Sequence, residues 1–273
     1  MPGSRTRRGL VALAVIVVFV GAAAYGVREL WRIATSSIAS SGCDFGNFSV
    51  DTGQAQVAAT VVSVVIKRGL PERAAVLTLG AALQESKLRN IPAGQGDRDS
   101  VGILQQRPSQ GWGTAEQISD VHYATGAFLD HLVKVPDWQT DSLATVVQEV
   151  QISADGSAYA KHETEASAIA SALMGTTPAG VSCSFDKPSQ VAAAGSVAAA
   201  LAADLPVNAP AVDGNAITVG GAGWATVGWF VCNADRFGID SVRYDGKVWT
   251  RAKGWHADDK AADSAVVARL SSI

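Results

Sequence analysis

An unbroken apolar run from Gly9 to Val27 follows Arg5, Arg7 and Arg8, and no other feature limits the architecture so sharply. A run of this length spans a bilayer as a helix. The basic residues before it stay on the cytoplasmic side, so everything after it faces outward. Ala22 and Ala24 also form a small-x-small cleavage pattern, which makes a secreted product of signal-peptide cleavage the alternative; the length of the run favours the uncleaved anchor. One helix without partners encloses no polar pathway, so transport is excluded.

The rest of the 273 residues is long enough for two compact domains. Composition shifts divide the chain into a cytoplasmic basic tail (1–8), the anchor (9–27), a stalk (28–42), a helical domain (43–183), a linker (184–189) and a small α+β domain (190–273). With 22 Lys and Arg against 25 Asp and Glu, no basic face advertises nucleic acid. Outside the membrane the compartment is oxidising. Cys43 and Cys183 bracket the helical region, and joining them staples its ends, so a disulfide is expected there. Cys232 falls in an apolar helical stretch and reads as a small buried hydrophobe.

Between the cysteines, polar starts and Gly or Pro stops mark helices. Asp51 and Thr52 open one that runs to about Arg68 before Gly69, and Leu70 and Pro71 open a second that runs to about Leu88, with Glu85 near its end. Residues 89–110 lose the helical pattern and suit a loop or small hairpin. Thr114 with Gln117 forms a capping box, and Asp120 caps a helix to about Lys134. Asp141 starts another to about Ser153, and the last runs from Ala158 to Met174.

Ala82-Leu-Gln-Glu-Ser-Lys-Leu88, then Ser100-Val-Gly-Ile-Leu-Gln105, then Ala158-Tyr159 resemble in order three motifs of the lysozyme-like lytic transglycosylases and goose-type lysozymes. The longer strings, from Leu70-Pro-Glu-Arg through Gln105-Gln-Arg-Pro-Ser-Gln-Gly-Trp-Gly113 and Tyr159-Ala-Lys-His-Glu163, are similar to secreted actinobacterial members of that superfamily. The resemblance implies an α-helical lysozyme-like domain, peptidoglycan glycan strands as substrate, and cleavage of the MurNAc-GlcNAc β-1,4 bond. Such an activity serves wall turnover, or opens the wall for secretion or conjugation machinery. The fold expectation is therefore a mainly α protein with an N-terminal transmembrane helix, this domain, and a small C-terminal α+β domain.

The chemistry gives Glu85 the catalytic role. An acid that donates to a glycosidic oxygen must keep its proton near neutral pH, and apolar neighbours such as Leu83, Leu88, Ile103 and Leu104 raise a carboxyl pKa by desolvation. Asp97 and Asp99 are the candidates for a second carboxylate, and equally a solvated turn pair. Goose-type lysozymes carry a further acid after the Gly-Leu-Met-Gln type segment, where this chain has Arg107. That departure favours the transglycosylase route, in which the substrate's own 6-hydroxyl attacks; a hydrolytic muramidase and a non-catalytic wall-binding protein are the alternatives. Ser100, Gln105, Gln106 and Tyr159 are candidate substrate-binding residues through hydrogen bonds, and Trp112 through stacking on a sugar face, although Trp112 and Trp138 equally read as packing residues. The four histidines, His122, His131, His162 and His256, show no metal-ligand spacing, so neither metal nor cofactor is expected.

In the C-terminal region an Ala-rich helix covers 191–205, Ile217 to Val219 forms a strand, and Trp224 to Phe237 a helix. Asp245-Gly246 turns a hairpin between Ser241-Val-Arg-Tyr and Lys247-Val-Trp-Thr, and Val266 to Leu270 adds a strand. Asn233-Ala-Asp-Arg-Phe-Gly-Ile-Asp through Trp255 resembles a domain of secreted actinobacterial wall proteins, related to D-Ala-D-Ala peptidase-like folds. Ser264-Ala-Val-Val-Ala-Arg269 lacks their terminal metal motif, so catalysis is not expected there and a binding or spacer role is.

Overall fold

The computed structural model describes residues 41–151 and 157–272. The expected transmembrane helix and most of the stalk lie outside the described residues; among those described, no helix is long and apolar enough to cross a membrane. Residues Ser41–Ile273 form one compact unit.

Strands β1 (Gly42–Phe45) and β2 (Phe48–Asp51) make a tight hairpin that leads into helix α1 (Thr52–Lys67). The Asp51 carboxylate accepts from the Gln54 amide N–H while the Gln54 side chain accepts from Asp51, which starts α1 with a reciprocal cap. Helix α2 (Glu72–Ser86) follows, and nearly all of its middle from Ala74 to Leu83 is buried. Such a helix has neighbours on every side. Helices α3 (Ala115–Ser119), α4 (Val121–Leu132), α5 (Leu143–Gln151), α6 (Ser157–Ala160) and α7 (Glu163–Met174) come next, and α2 packs against α1, α4, α5, α6 and α7. The capping box of Thr114 with Gln117 starts α3, and Asp120 caps α4 by accepting from the amides of His122 and Tyr123.

Strand β3 (Val181–Ser184) returns beside β1, giving a small antiparallel sheet in the order β2-β1-β3. Cys43 sits opposite Cys183 in that pairing, and the two are joined by the expected disulfide. Beyond it come α8 (Ala194–Asp204), β4 (Ala211–Asp213), β5 (Ala216–Gly220), α9 (Trp224–Cys232), α10 (Ala234–Phe237), β6 (Ile239–Tyr244), β7 (Lys247–Thr250), β8 (Gly254–Ala257) and β9 (Ala265–Leu270). The six strands form one antiparallel sheet in the order β4-β5-β9-β6-β7-β8. Cys232 is free and buried.

The expectation of a mainly α protein is corrected: this is a mixed α+β fold with two antiparallel sheets. The sheet that closes the helical region was missed because its strands are only four residues long, below the length at which alternation is a signal. Strands β4 and β8 are similarly short. The long helix read over Trp224 to Phe237 divides at Asn233 into α9 and α10, and the one read over Ala158 to Met174 divides into α6 and α7.

Candidate active site

Glu85 occupies the penultimate position of α2 and is partly buried. Leu83, Leu88, Ile103 and Leu104 are all buried. Burial pushes the Glu85 carboxyl above the ordinary carboxyl range, although hydrogen bonds from Tyr159 and Gln151 pull in the opposite direction. The Tyr159 hydroxyl donates to Glu85 Oε1 at 2.5 Å, across 74 residues of sequence. Helix α6 places Tyr159, itself buried, beside the end of α2.

Ser86, the residue after Glu85, anchors the facing turn. Ser86 Oγ donates to the Ile103 carbonyl at 2.7 Å and accepts from the Arg89 amide at 3.1 Å. The turn from Val101 to Gln106 is closed by a bridge between those two residues, and Gly102 pairs with Ile91. The loop or hairpin expected here is thus a short bridged turn. Past Ser86 the chain reverses with Lys87 and Leu88 both in the left-handed region, at φ of 54° and 58°. Gln54 Nε2 donates to the Lys87 carbonyl at 2.6 Å, and Arg89 pairs with Asp51 at 2.6 Å, so the start of α1 holds this reversal.

The other candidates are placed unequally. Hydrogen bonding by Ser109, whose amide lies 2.9 Å from the Asp99 carboxylate, and then by Arg107 Nε at 2.6 Å holds the Asp99 carboxyl well below the usual range. The Asp97 side chain is 90% exposed, with only a loose approach to Arg98 at 3.9 Å. Ser100 is buried, and its amide closes the turn on the Asp97 carbonyl. Gln105 folds back to donate to the Gly102 carbonyl at 2.9 Å, and a Cβ on Gly96 would meet its Oε1 at 2.6 Å. Gln106 is buried and donates to the Ala124 carbonyl at 3.1 Å, which commits its amide nitrogen to the core. Trp112 is 8% exposed, with its ring 4.5 Å from that of His131.

Two contacts lie outside the motifs. Gln151, the last described residue of α5, donates through Nε2 to the Leu104 carbonyl at 3.0 Å. His162 Nε2 lies 3.1 Å from Gln84 Oε1. The available signal for Gln151 was its register: Leu143 and Val147 are buried at four-residue spacing, and a polar side chain at the next position of an apolar stripe needs a partner.

Among the described residues, no group of three or more His, Cys, Asp or Glu is placed to hold a metal ion. No protein-family profile matches the chain, and no curated protein is significantly similar to it.

Proposed function

We propose that the protein cleaves peptidoglycan glycan strands at the MurNAc-GlcNAc β-1,4 bond as a lytic transglycosylase, with Glu85 as its acid. The observation that carries the reading is a partly buried carboxyl at the end of α2, raised in pKa by desolvation and oriented by the Tyr159 hydroxyl. Glu85 gives its proton to the glycosidic oxygen as that bond breaks. The carboxylate then takes the proton of the 6-hydroxyl as that oxygen bonds to the anomeric carbon, closing a 1,6-anhydro ring. One carboxyl suffices for both transfers.

Asp99 supports this route over the hydrolytic one. A carboxylate engaged by Arg107 and the Ser109 amide is a weak base, and a two-carboxylate mechanism needs a free partner to activate water. The apolar segment at Gly9 to Val27 supports placement at the cell membrane, with residues 41–272 outside. The test is mass spectrometry of soluble products after peptidoglycan sacculi are incubated with the full chain or with Glu85→Gln. Anhydro-ended muropeptides from the wild type alone are expected. Reducing ends would identify a hydrolytic muramidase, and no release from folded wild-type protein would leave a wall-binding role.

A further inference from the structure

We propose that a second site, a cleft between the linker and the end of the chain, binds the stem peptide of the wall: Arg251 and Lys187 take its free carboxylate, and Asp240 takes its amine. The inference rests on the reading of peptidoglycan as the substrate.

The cleft holds about 580 Å3, within the range of about 300–1,000 Å3 typical of small-ligand sites. Its walls come from the linker, the start of β6, the chain just past β7 and the chain past β9, so it shares no residue with the Glu85 site. Arg251 lines it and is only 4% exposed. Its Nη1 donates to the Asp186 carbonyl at 2.6 Å and meets the half-exposed Asp235 carboxylate at 3.3 Å. Nε donates to the Ile239 carbonyl at 3.3 Å, and Nη2 to the Ala234 carbonyl at 2.6 Å. Nη2 carries two N–H groups, so one is uncommitted among the described residues. A buried cation answered mainly by carbonyls still favours an anion beside it.

Three further donors line the cleft without a partner among the described residues: Lys187 Nζ and the hydroxyls of Ser271 and Ser272. The Asp240 carboxylate is unpaired in the same sense, and the Phe185 ring lies under the Arg251 guanidinium, 5.1 Å from its carbon. Two cations and two hydroxyls beside one carboxylate suit a ligand that carries a carboxylate and an amine. In peptidoglycan the sugars are N-acetylated and neutral, whereas free carboxylates and amines belong to the stem peptides. The charges of this cleft therefore match the peptide, not the glycan that Glu85 cuts. A phosphate dianion would face Asp240, which disfavours it.

The test is isothermal titration calorimetry of the full chain in detergent micelles. The probes are a synthetic stem tetrapeptide, the same peptide with its terminal carboxylate amidated, and inorganic phosphate. The free tetrapeptide should bind, and amidation should raise its Kd about tenfold or more, the effect of losing a hydrogen bond to a charged group. Lys187 is exposed, so Lys187→Ala should fold; it should bind the free peptide about tenfold more weakly and respond less to amidation. Arg251→Met should show the same pattern, and where it fails to fold Lys187→Ala still decides. No binding of the tetrapeptide, equal binding of the free and amidated forms, or phosphate binding as tightly as the peptide would overturn the proposal. None of these titrations involves glycan cleavage. Intact sacculi after incubation with the wild type would overturn the enzymatic reading and leave the cleft to be judged by its peptide.

Discussion

At Glu85 two influences oppose each other. Burial disfavours the ionised carboxyl, and the Tyr159 and Gln151 donors favour it, with burial prevailing. The folded protein therefore holds this proton more tightly than the unfolded chain. Stability from the site is complete below the ordinary carboxyl pKa and declines as pH rises through the raised folded value. Glu85→Gln has no such decline, so its thermal stability relative to the wild type should improve as pH rises from below the ordinary carboxyl pKa to neutrality, while cleavage falls by roughly 10²–10⁴-fold. A relative stability that is flat across that range would show that the carboxyl is not desolvated. Tyr159→Phe removes one donor, and the alkaline limb of its activity profile should lie at higher pH than that of the wild type. Glu85 and Tyr159 were legible in the sequence because each sits in a short motif. The commitment of Asp99 was not, because its partners Arg107 and Ser109 are joined to it by the folding of a loop. Gln151 lies in no motif and reaches the Leu104 carbonyl only when α5 meets the turn.

Among the elements, the caps were readable and one stop was not. Asp51 with Gln54, Thr114 with Gln117, and Asp120 satisfy the first amides of their helices by local hydrogen bonds, so sequence alone places them. Helix α2 ends instead on Lys87 in the left-handed region, where glycine or asparagine is the usual signal. Left-handed backbone costs a side chain about 1–2 kcal/mol, and glycine gives back about 0.5–1 kcal/mol through the flexibility of the unfolded chain. Lys87→Gly should thus stabilise the protein by roughly 0.5 kcal/mol, read as a rise in denaturation midpoint at unchanged slope. A loss of stability would mean that Lys87 makes contacts worth more than its strain. A second junction links α4, α8 and α9: His122 Nε2 lies 2.8 Å from Asp204 Oδ1, and Trp229 Nε1 donates to Asp204 Oδ2 at 2.7 Å. Asp204 raises the His122 pKa, and the His122 and Trp229 hydrogen bonds lower that of Asp204 despite its burial. The histidine's contribution is full below its unfolded pKa and is lost as pH rises through the raised value. The aspartate's contribution is full above its own unfolded pKa and is lost in acid. Asp204→Ala should therefore destabilise by about 2 kcal/mol near pH 5.5, and by less at alkaline pH, as His122 gives up its proton. Equal losses at both pH values would remove the ion pair from the account and leave the Trp229 hydrogen bond.

Across residues 41–272, the helical and C-terminal regions share one core. Helix α9 packs against α1, α7 and β3 as well as against its own strand β6. Trp249 is fully buried and donates to the Cys183 carbonyl at 3.0 Å, and Trp255 donates to the Val181 carbonyl at 2.7 Å. At Gly175, which ends α7 at φ 82°, a Cβ would meet the Ala225 amide nitrogen at 2.6 Å. This glycine, which follows the helix read from Ala158 to Met174, is thus also the point where backbone from the two regions meets. Composition marks a linker at 184–189, yet it carries no information about such contacts, because side chains of both regions are apolar in either arrangement. The disulfide adds a covalent tie across 140 residues, and closing a loop of that length is worth about 5 kcal/mol on chain entropy, typically 2–5 kcal/mol in practice. Reduction should lower the melting temperature accordingly. The shared core makes a stronger claim. A chain ended after Ser184 would lose the two tryptophan hydrogen bonds and expose the faces of α1 and α7 that α9 covers. Such a truncation should aggregate or melt far below the full chain, and the oxidised full chain should show one calorimetric transition for both regions, with calorimetric and van't Hoff enthalpies equal. Two separate transitions, together with a soluble and cooperative truncation, would establish two independent domains and confine the α9 contacts to a weak interface.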